Sequence, residues 1–105
     1  MVTEETLHEI VDKIVAATHP QAVILFGSLA RGEAGPDSDL DLMVIKESDK
    51  PRIERYSEVR RLFRGMCIGM DILVYTPEEF AQFQSVPGSL THTVTHEGRV
   101  LYGRA

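Results

Sequence analysis

The sequence predicts an α/β fold: a small mixed sheet of three or four strands flanked by helices. Two observations carry the prediction. Apolar runs of strand length, AVILFG, DLDLMVIK, GMDILVYT and RVLYG, are each separated by helical or loop-like stretches. Between them, apolar residues recur at helical spacing, and strands alternating with helices indicate an α/β sheet.

The elements follow in order. Thr3 reads as a helix N-cap, with Glu4 and Glu5 in the first turn where the helix dipole favours negative charge. Leu7, Ile10, Val11, Ile14 and Val15 make one apolar stripe, and Pro20 ends the helix because the residue before proline is pushed out of the α region. AVILFG is the first strand, closed by Gly27. SLAR forms a short helix opening at Ser28, and GEAGPDS is loop by composition. In DLDLMVIK, Leu40, Leu42 and Val44 share one face, while Asp39, Asp41, Met43 and Ile45 share the other. A helix then runs from Pro51 to Gly65, with Ile53, Tyr56, Val59 and Phe63 as its buried stripe. GMDILVYT is the third strand. PEEFAQFQS and GSLTHTVTHEG are helices, and RVLYG is the last strand. The link between the first two strands is only about a dozen residues, short enough that an antiparallel pairing is open there.

Composition bounds the function. A chain of 105 residues reads as one domain spanning 1–105. A net charge of -5 disfavours direct nucleic-acid binding, which calls for a basic face. The only cysteine, Cys67, rules out a disulfide within the chain and reads as a small buried hydrophobe between Met66 and Ile68. No apolar run approaches the roughly 20 residues of a membrane span, and the acidic start MVTEETLHEI lacks the features of a signal peptide. The expectation is a cytoplasmic protein.

Chemistry concentrates in GSLARGEAGPDSDLDLMV, residues 27–44. Asp39 and Asp41, two apart on a strand, point to one face with Cα atoms roughly 6.5 Å apart. Carboxylates that close repel, and a divalent cation removes the conflict; Mg²⁺ is typically held by one or two carboxylates, phosphates and water. Asp71 opens the third strand and faces the pair if the second and third strands are neighbours. Three such groups can hold two metal ions about 3.5–4 Å apart, the arrangement that clamps the attacking and leaving oxygens of phosphoryl chemistry. Gly27-Ser28, between a strand and a helix start, offers backbone N–H groups and a hydroxyl to phosphates. Two rival motifs fail on spacing. A calcium loop starting at Asp37 would need glycine at Leu42 and glutamate at Ser48, and a P-loop starting at Gly27 would need Lys-Ser/Thr at Glu33-Ala34.

The pattern GS-x-ARG followed by SD-x-DL-x-V closely resembles the signature of the DNA polymerase β-like nucleotidyltransferases. The chain is most similar to the minimal, MNT-type members. The match lies at Gly27, Ser28, Ala30, Arg31, Gly32, Ser38, Asp39, Asp41, Leu42 and Val44, with Asp71 as the third carboxylate. It extends to TPEEF and EGRVLYG, so it covers nearly the whole chain.

The resemblance implies a nucleotidyltransferase core and transfer of a nucleoside monophosphate from a triphosphate, ATP in this family, to a hydroxyl, with release of pyrophosphate. It implies Asp39, Asp41 and Asp71 as catalytic residues and as ligands of two Mg²⁺ ions, or Mn²⁺. Asp71 would complete the metal that activates the acceptor and take up its proton. Gly27, Ser28, Arg31 and Ser38 would bind the nucleotide, although Arg31 reads equally well as a salt bridge to Glu33 or Asp37. It further implies a partner: MNT-type proteins stand beside HEPN ribonuclease toxins and silence them by adding AMP to a tyrosine. Two alternatives stay open, an antitoxin acting by occlusion alone and a small-molecule nucleotidyltransferase. With no second domain in this reading, the acceptor docks on the core or arrives on a partner chain.

Two smaller features stand apart. Arg60, Arg61 and Arg64 complement the C-terminus of their helix, or receive phosphates or an acidic partner. His92 and His96, four apart on a helix, lack a third ligand at metal-binding spacing and read as packed or solvated.

Overall fold

The computed structural model describes residues 2–33 and 39–104. In chain order, the elements are helix α1 (Glu4–Thr18), strand β1 (Ala22–Phe26), a one-turn helix α2 (Gly27–Ala30), β2 (Leu40–Ile45), α3 (Arg52–Arg60), a 3₁₀ turn (Arg61–Phe63), β3 (Met70–Tyr75), α4 (Pro77–Phe83), α5 (Leu90–Glu97) and β4 (Arg99–Gly103). The strands form one sheet in the order β3-β2-β1-β4. β1 is antiparallel to β2 and β4, and β2 is parallel to β3. The sheet is therefore mixed, as predicted.

Local chemistry explains the element ends. Thr3 caps α1 by accepting from the Thr6 N–H at 3.1 Å. His19, ahead of Pro20, leaves the helix for the left-handed region at φ 48° and donates its N–H to Val15 O. α4 opens on a capping box: Thr76 Oγ1 accepts from the Glu79 N–H, and Glu79 Oε1 accepts from the Thr76 N–H.

The sheet is covered on both faces. On one, Leu7, Ile10 and Ile14 of α1 and Val59 and Phe63 of the third helical segment pack on Val23, Leu25, Leu42, Val44, Ile72 and Val74. On the other, Phe80 of α4 and Val94 of α5 pack on Ile24, Phe26, Met43 and Ile45. Two-sided burial explains why β1 and β2 read as continuous apolar runs. Among the described residues, no helix is long and apolar enough to cross a membrane.

Three sequence expectations are corrected. Ile53 is 70% exposed. It lies roughly a quarter-turn off the stripe formed by Tyr56, Val59 and Phe63, and Arg55 takes the inward place. Cys67 is exposed. It lies in the irregular link before β3, where Met66 and Ile68 turn inward onto the core and leave the residue between them outside. Asp39 precedes β2 rather than lying within it.

The buried Arg55 is fully supplied with acceptors. Its Nε donates to Lys50 O at 2.7 Å, and its Nη1 donates to Val74 O at 3.1 Å and to Glu79 Oε1 at 2.6 Å. This guanidinium is the main reason the Glu79 carboxyl is held down to about 2, with the Thr76 N–H assisting against the cost of burial. Because the folded value lies below the unfolded one, the stabilisation is present above pH 4.5 and is lost as pH falls toward 2. The interval corresponds to about 3 kcal/mol. Glu79→Gln is expected to lower stability by about that amount at pH 7 in urea titrations, and the gap from wild type should close near pH 2. An equal gap at both pH values would refute the charge-based account.

Candidate active site

Strand register brings the predicted carboxylates together. Asp41 pairs with Phe26 of β1 on one side and with Asp71 of β3 on the other. Neighbouring strands lie about 4.8 Å apart, so Asp41 and Asp71 emerge side by side. Both point to the face opposite Leu40, Leu42 and Ile72, at the end of the sheet where β1 stops and β2 and β3 start. Asp39 enters just before β2, and the Leu40 N–H donates to Gly69 O at 2.9 Å, tying the two strand starts together.

Two glycines make room for the carboxylates. A methyl group on Gly27 would collide with Asp41 Oδ2, and Gly27 also holds φ 77°, in the left-handed region. A methyl group on Gly69 would collide with Asp39 Oδ1. Asp41 thus leans toward β1 and Asp39 toward β3. Among the described residues no three His, Cys, Asp or Glu side chains converge on one point in a metal-binding group.

The electrostatics follow. Asp41 is half-buried, and its carboxyl is pushed above the usual aspartate range, first by burial, then by the charges of Asp71 and Asp39, with Arg31 opposing. This is the conflict that a divalent cation relieves, so the donor set fits Mg²⁺ or Mn²⁺: hard carboxylate oxygens, mutually repelling, at the mouth of two apolar strands.

Directly after β1 the backbone turns into α2. Its first-turn N–H groups have no partner within the helix, while its carbonyls are used: Gly27 O accepts from Arg31 N, and Ser28 O from Glu33 N. Gly27 and Ser28 thereby offer donors next to Asp41. Arg31 binds Glu33 at 3.2 Å, as one of its two readings expected, and approaches Glu97 at the end of α5 at 3.7 Å. Ser38 and Asp37 lie outside the described residues. The histidines do not join the site: the His92 and His96 rings stack at 4.1 Å, and His96 Nδ1 lies 2.9 Å from His92 O.

Sequence reasoning missed Gly69 and Glu97. Gly69 had one visible signal, a glycine directly before the strand that carries Asp71. Glu97 had none, since its approach to Arg31 depends on how α5 packs over β1.

The family described as Polymerase beta, Nucleotidyltransferase matches residues 8–105. Among solved structures, a candidate nucleotidyltransferase from Sulfolobus solfataricus superposes with a TM-score of 0.67 at 23% identity, covering 93% of this chain and 78% of its own. A toxin–antitoxin complex with AMP-PNP gives 0.67 at 21% identity, covering 92% and 73%. A mutant MntA–HpeT toxin–antitoxin complex gives 0.61 at 20% identity, covering 99% and 75%. At these identities the likeness is one of fold. No curated protein matches the chain in sequence.

The crowding of Asp41 has a measurable consequence. A carboxyl whose folded value is raised favours the folded state below the unfolded value and opposes it as pH rises through the folded one. In EDTA at pH 7, Asp41→Asn is therefore expected to melt above wild type, with the difference vanishing below about pH 4, the unfolded aspartate range. Gly27→Ala is expected to lose at least about 1–2 kcal/mol from the left-handed backbone alone. An Asp41→Asn melting point equal to or below wild type in EDTA would show that the repulsion is not felt.

Proposed function

The chain belongs to the polymerase beta nucleotidyltransferase family, and we propose that it transfers AMP from ATP to a hydroxyl, a tyrosine of a HEPN-type toxin, and so acts as that toxin's antitoxin. The observation that carries the reading is the register that sets Asp41 beside Asp71 and against Gly27. Two structural neighbours are toxin–antitoxin complexes, one of them with AMP-PNP, which supports the partner and the nucleotide. The net charge of -5 fits a protein acceptor better than a nucleic-acid primer. Residues 1–105 are taken as one nucleotidyltransferase unit, working in the cytoplasm.

Each residue has a role in this reading. Asp39, Asp41 and Asp71 would hold divalent cations, Mg²⁺ or Mn²⁺, which when bound supply positive charge against the phosphates and make the acceptor hydroxyl more acidic. The N–H groups of Gly27 and Ser28 and the Ser28 hydroxyl donate to phosphate oxygens. Asp71, exposed beside Asp41, takes the proton of the acceptor hydroxyl. The new bond joins the acceptor oxygen to the α-phosphorus as the bond to pyrophosphate breaks. Ser38 completes the nucleotide contacts, and Arg31 reaches the phosphates by exchanging its carboxylate partners for them.

The alternative is that the protein neutralises its partner by occlusion alone, with the carboxylates taking no part. One experiment separates the two. The chain is mixed with MgATP and the product of the neighbouring gene, which this reading expects to be a HEPN-type toxin, and intact masses are recorded. One AMP adduct on the partner is expected. Asp39→Asn with Asp41→Asn should slow its formation by at least about 100-fold, the scale of losing one electrostatic stabiliser of a transition state. A silenced partner without any adduct would establish occlusion instead.

A further inference from the structure

The outer side of α3 and of the turn after it carries three arginines that make no carboxylate ion pair among the described residues. Ile53, Ser57 and Arg60 lie on α3, Arg61 opens the 3₁₀ turn and Arg64 follows it, and shared groove linings bring them together. That face looks away from the core, into which Val59 and Phe63 point. Five other basic side chains find acids: Arg31 with Glu33, Lys50 with Glu58, Arg52 and Arg55 with Glu79, and Arg99 with Glu4. Among the described residues, Arg60, Arg61 and Arg64 have no carboxylate partner, in a chain with 16 acidic and only 11 basic side chains. Arg61 serves the helix end, donating its Nε–H to Ser57 O at 3.2 Å. Arg60 and Arg64 carry like charge into the same groove.

The three arginines and Tyr56 line an open groove of about 570 Å³. A second groove, of about 200 Å³, continues from it through Ser57 and Arg61 and is bounded by Ile53, Glu54 and Glu58. Arginine, tyrosine and an exposed aliphatic side chain are the composition of a protein-binding hot spot. The location is also apt. α3 ends near the start of β3, so the arginines lie at the same end of the sheet as Asp71, on the opposite layer.

We propose that the outer face of α3 docks an acidic segment of a partner protein, with carboxylates on Arg60, Arg61 and Arg64 and an apolar side chain on Ile53. The identity of that partner as the acceptor rests on the function proposed above; the docking itself does not. A nucleic-acid strand is the poorer occupant. It carries a negative charge at every step, and along α3 it would run onto Glu54 and Glu58 and against a net charge of -5. A protein segment can set its acids over the arginines and a neutral, greasy residue over Ile53.

The test uses fluorescence anisotropy of a labelled synthetic peptide, glutamates flanking a central leucine, and of a labelled single-stranded RNA of mixed sequence, without ATP. The peptide is expected to bind wild type, more weakly as salt rises. Arg60→Glu with Arg64→Glu should weaken it by about tenfold or more. Ile53→Asp should also weaken it. Ile53 and Arg64 are exposed and Arg60 is only partly buried, so the melting temperature should hold. The Asp39→Asn, Asp41→Asn protein should bind the peptide as wild type does, which keeps a failure of catalysis distinct from a failure of docking. Absence of peptide binding, wild-type binding by the reversed-charge variant, or tighter binding of the RNA than of the peptide would each overturn the proposal.

Discussion

The arrangement turns on one crowded carboxylate. Asp41 sits between Phe26 and Asp71 in the register of three strands, and its carboxylate fills the space that a side chain at Gly27 would need. The balance at that position disfavours an anion in the bare protein: burial and the like charges of Asp71 and Asp39 outweigh Arg31. What holds it there is the alternation of β2. Leu40, Leu42 and Val44 are all fully buried, and a slip of one residue would turn them to the other face and carry Asp41 into the core. The hydrophobic pattern that fixes the core therefore also fixes the site, and repulsion among the carboxylates is held in check by the burial of several aliphatic side chains, each worth about 1.5–3 kcal/mol.

The two ends of the sheet are built differently. At the far end, buried Arg55 joins Lys50, Val74 and Glu79, and Glu79 closes the capping box of α4. Arg52 adds a contact to Glu79 and lies over the Tyr75 ring at 4.6 Å. Donors and acceptors there are matched. At the near end, anions face anions, α2 turns first-turn N–H groups outward, and among the described residues Arg31 is held by exposed acids. A polar group left short of partners in one place, beside a fully satisfied network in another, marks where an external ligand belongs.

Much of this was legible in the sequence, and the limits have physical causes. Period-two and period-3.6 patterns placed the strands and most helix ends to within a residue or two, because burial acts through those periods; α3 stops at Arg60, short of Gly65, and gives way to a 3₁₀ turn. Asp39, Asp41, Gly27 and Ser28 were visible because their chemistry is local to one stretch. Asp71 was visible as a charge opening an apolar strand, but its place beside Asp41 required knowing that β2 and β3 are parallel neighbours. Ile53 misled because an apolar residue at nearly the right spacing looks like core, and Arg55 was passed over because a buried charge is recognisable only once its partners on β3 and α4 are known. Cys67 misled similarly, since its apolar neighbours take the inward positions in an irregular link.

The same allocation of charge bears on how an acceptor would reach the site. An acidic chain repels an acidic partner at long range, and the carboxylates at the sheet end add to that field. The Arg60–Arg64 cluster is a local exception, and it lies on the layer of the sheet opposite Asp41. An approaching acidic surface is turned from the carboxylates and drawn to the outer side of α3. Capture and chemistry then occupy different layers of one sheet end. On the proposed function, an acceptor hydroxyl would be brought near Asp71 without the partner's own acids competing for the place that cations would take at Asp39 and Asp41.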